Sequence, residues 1–240
     1  MKLENKVGIV TGASRGIGRE IALGYAQEGA DLIVCARDAQ RLEQLVTELQ
    51  KLGRRAVAVP ADVSREEDVM RVVDRTIAEF GRIDVLCNNA GVNHTRTVEE
   101  MPATEWDEII AVNLRGPFLL SRASIPHMKK QNYGRIVHVS SMSALVCSPS
   151  AAAYSASKAA LNALSLTTSR EVSDYNILIN ALSPGFLKTD MNPQGTQPPS
   201  AAVPTAIDLA ALPDGGATGR FFRFQEEIVV IPNSDANWTK

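Results

Sequence analysis

Tyr154 and Lys158 stand four residues apart within "SAAAYSASKAALNALS", residues 150 to 165. On a helix, positions i and i+4 share one face, a turn apart. A free phenol ionises with a pKa of about 10, too high for efficient proton transfer near neutrality. A neighbouring ammonium favours the phenolate and lowers that value, each unit being worth about 1.4 kcal/mol. The pair could therefore pass a proton to or from a substrate oxygen, and the lysine's other donors could hold ribose hydroxyls. Spacing alone is weak support, because helices carry many such pairs by accident. Position strengthens it. Ser141 closes the run "GRIVHVSS", thirteen residues before Tyr154. A strand ending there, followed by a helix, would deliver Ser141, Tyr154 and Lys158 to the carboxyl edge of a parallel sheet, where ligands bind. Ser141 and Tyr154 could then both hydrogen-bond an oxygen on which negative charge develops. A turn or capping role is the plainer alternative for Ser141.

A second group of residues belongs to the same edge. "TGASRGIG" spans Thr11 to Gly18, between an apolar strand and a helical run. Its Gly-x-x-x-Gly-x-Gly spacing is a variant of the dinucleotide fingerprint. Gly12 can make the tight turn, Gly16 lets a pyrophosphate approach the backbone, and Gly18 lets helix and strand pack closely. Ser14, Arg15 and Ile17 fill the turn between them. The helix N-terminus behind it supplies free N–H groups and partial positive charge. An acid at the end of the second strand would bind a ribose 2′-hydroxyl and select NAD(H). That strand ends instead at Ala36, followed by Arg37. Arg15 and Arg37 could pair with a 2′-phosphate. Asp38 could serve as the NAD(H) acid, but it directly precedes a helical run and is read as its N-cap. NADP(H) is therefore favoured over NAD(H).

The elements that must position these groups alternate along the chain. Short apolar runs with their exits at 6–12, 30–36, 55–63, 82–91, 134–141 and 176–185 read as strands. Between them lie runs of helical spacing, such as 38–53 with Leu42, Leu45, Val46 and Leu49 on one face. Ser64 and Glu67 have capping-box spacing. A long helical region is expected from about Thr104 to Lys130, with Pro117 and Pro126 marking bends or ends. The strands are apolar almost throughout, as a parallel sheet covered on both faces demands. The expectation is α/β: a single-domain, Rossmann-type, doubly wound parallel sheet of about seven strands with helices on both faces. One domain would cover residues 1–240, with an irregular, proline-rich substrate-side segment at about 186–212. "GRFFRFQEEIVVI" reads as one or two closing strands.

Composition narrows the partners. Lys plus Arg is 25 and Asp plus Glu is 27, a net charge of −2, which gives no electrostatic case for nucleic acid or an anionic membrane. No apolar run approaches a membrane span, and "MKLENKVGIV" does not read as a secretory signal. Cys35, Cys87 and Cys147 are widely spaced, without a CxxC or a Cys/His cluster. This suits a reducing compartment and no structural metal. The expected location is the cytoplasm.

Taken as a set, several motifs resemble the short-chain dehydrogenase/reductase family over residues 5 to about 190. They are "TGASRGIG", Asp62–Val63, "NNAG" at 88–91, Asn113 in "VNL", Ser141, "YSASK", and "PGFLKT" from Pro184. The resemblance implies that Tyr154 is the general acid in carbonyl reduction and the base in alcohol oxidation. It implies that Lys158 binds the nicotinamide ribose and lowers the tyrosine pKa, that Ser141 holds the substrate oxygen, and that Asn113 positions a water in a proton relay. Asp62 and Val63 would border the adenine, and Asn89, Ala90 and Gly91 the riboses. Pro184, Gly185, Leu187 and Thr189 would flank the nicotinamide carboxamide. The implied activity is an NADP(H)-dependent interconversion of a carbonyl and a secondary alcohol by hydride transfer. The substrate is a small molecule, and the protein a homodimer or homotetramer pairing through the helices near 104–130 and 152–174.

The N-terminal part resembles 3-oxoacyl-carrier-protein reductases, which makes reduction of a 3-oxoacyl thioester the alternative. The tail "LPDGGATGRFFRFQEEI" more closely resembles carbonyl-reductase-like members. The segment after Gly185 is shorter than is usual in the family and suggests an open pocket. That pocket would fall to 93–98, 142–150 and 186–205, with His94, Met142, Val146 and Cys147 as candidate lining. A non-enzymatic NADP(H)-binding regulator is the remaining class. It would be expected to have lost Ser141, Tyr154 or Lys158, and all three are present.

Overall fold

The computed structural model describes residues 1–229. β1 (Val7–Thr11), β2 (Asp31–Ala36), β4 (Val85–Asn88), β5 (Gly134–Val139) and β6 (Ile177–Ser183) are buried along nearly their whole length. Side chains alternate across a pleated strand, so each strand feeds two cores. Val10, Leu32 and Val34 point to the core under α1 (Gly16–Gln27), α2 (Ala39–Lys51) and α7 (Val203–Ala210). Their neighbours Ile9, Ile33 and Cys35 point to the opposite core, under α3 (Glu66–Phe80) and α5 (Gly116–Gln131). Both-sided burial explains why these strands are apolar at successive positions.

The sheet runs β3-β2-β1-β4-β5-β6-β7-β8 among the described residues. All neighbours are parallel as far as β7 (Phe221–Arg223), and β8 (Glu226–Glu227) turns back antiparallel. β3 (Ala56–Pro60) pairs only with β2, so Pro60 sits on an edge, where a missing N–H costs nothing. The eighth strand goes beyond the expected seven and is a two-residue return at the chain's closing run. Val230 and Ile231 of that run lie outside the described residues. No helix among the described residues is long and apolar enough to cross a membrane.

One local expectation is refined and one is corrected. The region from Thr104 to Lys130 is helical throughout, as expected, but not α-helical throughout. α4 (Ala103–Ile110) passes into a π-helical turn at Ala111–Arg115 before α5 begins. Pro117 follows directly on the π turn and Pro126 lies inside α5. Wide π turns of this kind mark functional sites more often than ordinary helix does. Nor do Ser64 and Glu67 form a capping box. The Ser64 backbone N–H and hydroxyl both donate to Asp62 Oδ1, at 3.0 and 2.7 Å. The N-cap position falls at Arg65, not Ser64, and Glu66, Glu67 and Asp68 supply the negative charge at the α3 N-terminus. Asp38 does cap α2, its side chain accepting from Arg41 N at 3.0 Å.

Two glycines fix where backbones meet. A Cβ on Gly18 would lie 2.5 Å from the Gly12 carbonyl oxygen and would also meet the Asn89 amide. Gly185 has φ +94°, and a Cβ there would lie 2.7 Å from the Phe224 ring. Phe224 and Gln225 form the two-residue loop between β7 and β8, with φ of 49° and 68°. Such values fit a tight hairpin of this length. Gln225 is tied to α7, its N–H donating to Thr205 Oγ1 at 3.1 Å and its amide to Asp208. The closing hairpin therefore packs against the turn that follows β6. Gly18→Ala should lower the thermal midpoint, by roughly 1–3 kcal/mol of stability, because backbone blocks the new methyl group. An unchanged midpoint in a melting experiment would contradict this packing.

Candidate active site

A cleft of about 360 Å³ runs along the carboxyl ends of the strands. One wall is the turn between β1 and α1, with Gly12, Ser14, Arg15, Gly16 and Ile17. Beyond it lie Ala36, Arg37 and Asp38 after β2, then Ala61, Asp62 and Val63 after β3. Asn89, Ala90 and Gly91 follow β4, and Tyr154, Lys158, Pro184 and Thr189 close the far end. Five of the expected residues do not line it. Gly18 packs on Gly12 and Asn89, Leu187 is buried, Gly185 faces Phe224, Asn113 is buried behind Val92, and Ser141 sits beside Tyr154.

The β1 and β4 exits are sewn together by side chains. Thr11 Oγ1 accepts from Asn89 N and Ala90 N, both at 2.9 Å, and Asn89 Nδ2 donates to Thr11 O at 2.8 Å. At the start of α1 no side chain caps the first turn and no acid lies in it, so its N–H groups face the cleft as free donors. Asp38 is occupied by its cap and by Arg41 at 3.4 Å. Arg37 is exposed and has no ion-pair partner among the described residues. Arg15 pairs with Asp190 at 2.8 Å. Uncapped N–H groups, close-packed glycine backbone and a free guanidinium fit a phosphate-bearing dinucleotide.

At the other end, α6 (Ala152–Glu171) carries Tyr154 and Lys158. Lys158 is 4% exposed, and its ammonium donates to Val139 O at 2.8 Å. Burial pushes its pKa down to about 8. Below it on β5, His138 is also buried, and desolvation with the Lys158 charge takes its pKa down to about 3. His138 is therefore neutral at ordinary pH. Burial raises the Tyr154 phenol above its usual value, while a hydrogen bond with Ser141 works the other way. The lowering by Lys158 expected from the spacing is absent: Nζ lies 5.6 Å from the ring centroid and faces Val139 O. Ser141 Oγ also accepts from Ser143 N at 3.1 Å, at the head of the 3-10 turn Met142–Ala144.

Asn113, in the π turn, spends its amide inside the protein. Oδ1 accepts from Val92 N at 2.8 Å, and Nδ2 donates to Val92 O at 2.9 Å and Ser157 Oγ at 3.1 Å. Ser157 in turn donates to Tyr154 O at 2.7 Å. This side chain braces the β4 exit against α6. Sequence reasoning missed Ser157, His138, Arg41, Asp190 and Met191. Ser157 lies inside "YSASK" and Asp190 directly follows Thr189, but their partners are distant in sequence.

On the substrate side, His94 Nε2 lies 2.8 Å from Glu108 Oε2, and Arg96 N donates to Ser150 O at 2.9 Å. Val146 and Cys147 are exposed. The segment after Pro184 is stitched to itself. Lys188 N donates to Gln197 O at 2.8 Å, and Thr196 N to Phe186 O at 2.9 Å.

The family model for short chain dehydrogenases matches residues 6–199. This chain belongs to the short-chain dehydrogenase family. A 3-oxoacyl-[acyl-carrier-protein] reductase of Thermotoga maritima is 36% identical over 231 residues, which is 96% of this chain and 90% of that one. The corresponding reductase of Staphylococcus epidermidis is 37% identical over 188 residues, covering 78% and 77% of the two chains. Among solved structures, a short-chain type dehydrogenase/reductase from Mycobacterium marinum superposes with a TM-score of 0.86 at 29% identity, over 92% of this chain and 94% of that one. An NAD+-bound xylitol dehydrogenase also reaches 0.86 at 29% identity, over 93% and 98%. As a family member the chain is an oxidoreductase acting on CH–OH or C=O groups with a nicotinamide cofactor.

The buried ammonium has a consequence for stability. Folded Lys158 holds fewer protons than unfolded lysine between pH about 8 and 10.5. Stability therefore rises with pH across that window as the burial penalty is relieved. Lys158→Met should lack this rise, so the wild-type urea midpoint should gain on the variant's as pH increases through the window. A constant difference between the two proteins would contradict a depressed lysine.

Proposed function

We propose that the protein is an NADP(H)-dependent carbonyl reductase or alcohol dehydrogenase, working as one catalytic domain. The observation that carries the reading is one cleft joining an uncapped helix N-terminus and an unpaired Arg37 to Tyr154, Lys158 and the adjacent Ser141. When bound, the nicotinamide supplies or accepts the hydride. Tyr154 gives a proton to the carbonyl oxygen in reduction and takes it back in oxidation. Ser141 hydrogen-bonds that oxygen as charge grows on it. Lys158 turns donors not used by Val139 O toward the ribose, and Asn113 with Ser157 holds α6 in register with the β4 exit. Asp62 and Val63 border the adenine, and Pro184 and Thr189 the carboxamide.

Reduction of a 3-oxoacyl thioester is the second reading, favoured by the relatives from Thermotoga maritima and Staphylococcus epidermidis. Steady-state assays with NADPH against small ketones, aldehydes and an acetoacetyl thioester separate the two. Preference for the thioester selects the second reading, and no turnover of any carbonyl contradicts both. The protein is proposed to act as a homodimer or homotetramer. The buried, unpaired thiols of Cys35 and Cys87 suit a reducing cytoplasm.

Cofactor choice has its own test. Arg37→Asp replaces a free cation by an acid where a 2′-phosphate would lie. The ratio of kcat/KM for NADPH over NADH should fall by on the order of 10- to 100-fold, the scale of a lost charge-assisted hydrogen bond. An unchanged ratio contradicts the NADP(H) reading.

A further inference from the structure

Asp190 is the acid that the segment after β6 brings to the nucleotide cleft. Its Oδ2 lies 2.8 Å from Arg15 Nη1, inside the glycine turn. The position is built, not accidental. Thr189 and Asn192 close a turn around it, with Asn192 N on Thr189 O at 3.0 Å and Thr189 N on Asn192 O at 3.1 Å. Asn192 Nδ2 anchors that turn to Leu187 O at 3.0 Å. The Thr189 side chain reaches the glycine turn, 3.7 Å from where a Gly16 Cβ would lie. The segment thus lies across the cleft mouth with its acid fixed on one of the two cleft arginines assigned to a 2′-phosphate.

We propose that Asp190 is a specificity-determining residue: it competes with the 2′-phosphate for Arg15 and so holds down affinity for NADPH relative to NADH. This rests on the NADP(H) reading. The Arg15 and Asp190 side chains are 61% and 68% exposed, and an ion pair so exposed is weak enough to exchange for a dianionic phosphate. A carboxylate beside that phosphate repels it, so the pair acts twice, by occupying Arg15 and by opposing the ligand's charge. The 2′-phosphate is the group that separates the two nucleotides, so the effect falls on NADPH alone. Arg37, with no partner among the described residues, is free to receive the phosphate first, and Arg15 follows when Asp190 lets go.

Fluorescence titration of the full chain with NADPH and with NADH tests this by direct binding. Asp190→Asn should tighten NADPH about three- to tenfold, the scale of an exposed pair plus relief of repulsion, and leave NADH within about twofold. Asp190→Glu should restore wild-type behaviour. In an Arg15→Met background the gain from Asp190→Asn should shrink to near nothing. An unchanged NADPH affinity, an equal gain for both nucleotides, or a gain that survives in Arg15→Met overturns the proposal. Failure of the cofactor reading is distinguishable: NADH would then bind more tightly than NADPH even in Asp190→Asn.

Discussion

β1 and β4 lie side by side, yet their chains leave for opposite faces of the sheet. β1 feeds α1, over the core that holds Ile21 and Tyr25, and β4 leads toward Val112 and Leu119 in the other core. Two chains that part in this way leave a crevice at the strand ends, and a parallel sheet puts its ligands there. The crevice has to stay narrow at its base while opening at its mouth. Thr11 Oγ1 and the Asn89 amide meet that constraint by tying the two exits together. Gly18 then lets α1 settle onto the tie, since any side chain would strike Gly12 O and Asn89. The phosphate-facing N-terminus of α1 is aimed by this close contact.

The reacting end depends on a cost accepted within the same frame. Burying an ammonium and an imidazole next to each other at the end of β5 is unfavourable for both charges. The backbone carbonyl of Val139 compensates the lysine, and His138 stays neutral. A fixed Lys158 in turn fixes the helix face that carries Tyr154. Asn113 completes the bracing, because its amide joins Val92 to Ser157 and, through the Ser157 hydroxyl, to the Tyr154 carbonyl. The π turn at Ala111–Arg115 is what brings Asn113 inward.

Much of this was legible in the residues. Apolar strands at successive positions announced a sheet covered on both faces, and the alternation of strands with helices announced its winding. Asp38 read correctly as a cap because the cap is local. The misreadings share a cause. The capping-box spacing of Ser64 and Glu67 did not carry over, because spacing does not show that the helix starts one residue later, with Arg65 at its N-cap. The π turn between α4 and α5 hides in "AVNLR", where Asn113 answers to Val92 and Ser157 from other elements. The segment at about 186–212 read as irregular because its prolines carry no periodicity, but it holds a 3-10 turn at Pro199–Ala202 and α7. Its order comes from cross-links such as Lys188 to Gln197, which the sequence does not display. The expected lowering of the Tyr154 pKa failed for the same reason: four-residue spacing places two side chains on one face, but the Val139 carbonyl decides where the ammonium points.

The central claim is that Tyr154 does the proton transfer in a site whose nucleotide cleft is assembled independently of it. Tyr154→Phe tests this most directly, measured as NADPH binding by fluorescence titration and as carbonyl turnover on the same preparation. The account predicts that binding stays within a few-fold of wild type while turnover is lost. Retained turnover in a variant that still binds NADPH would contradict it.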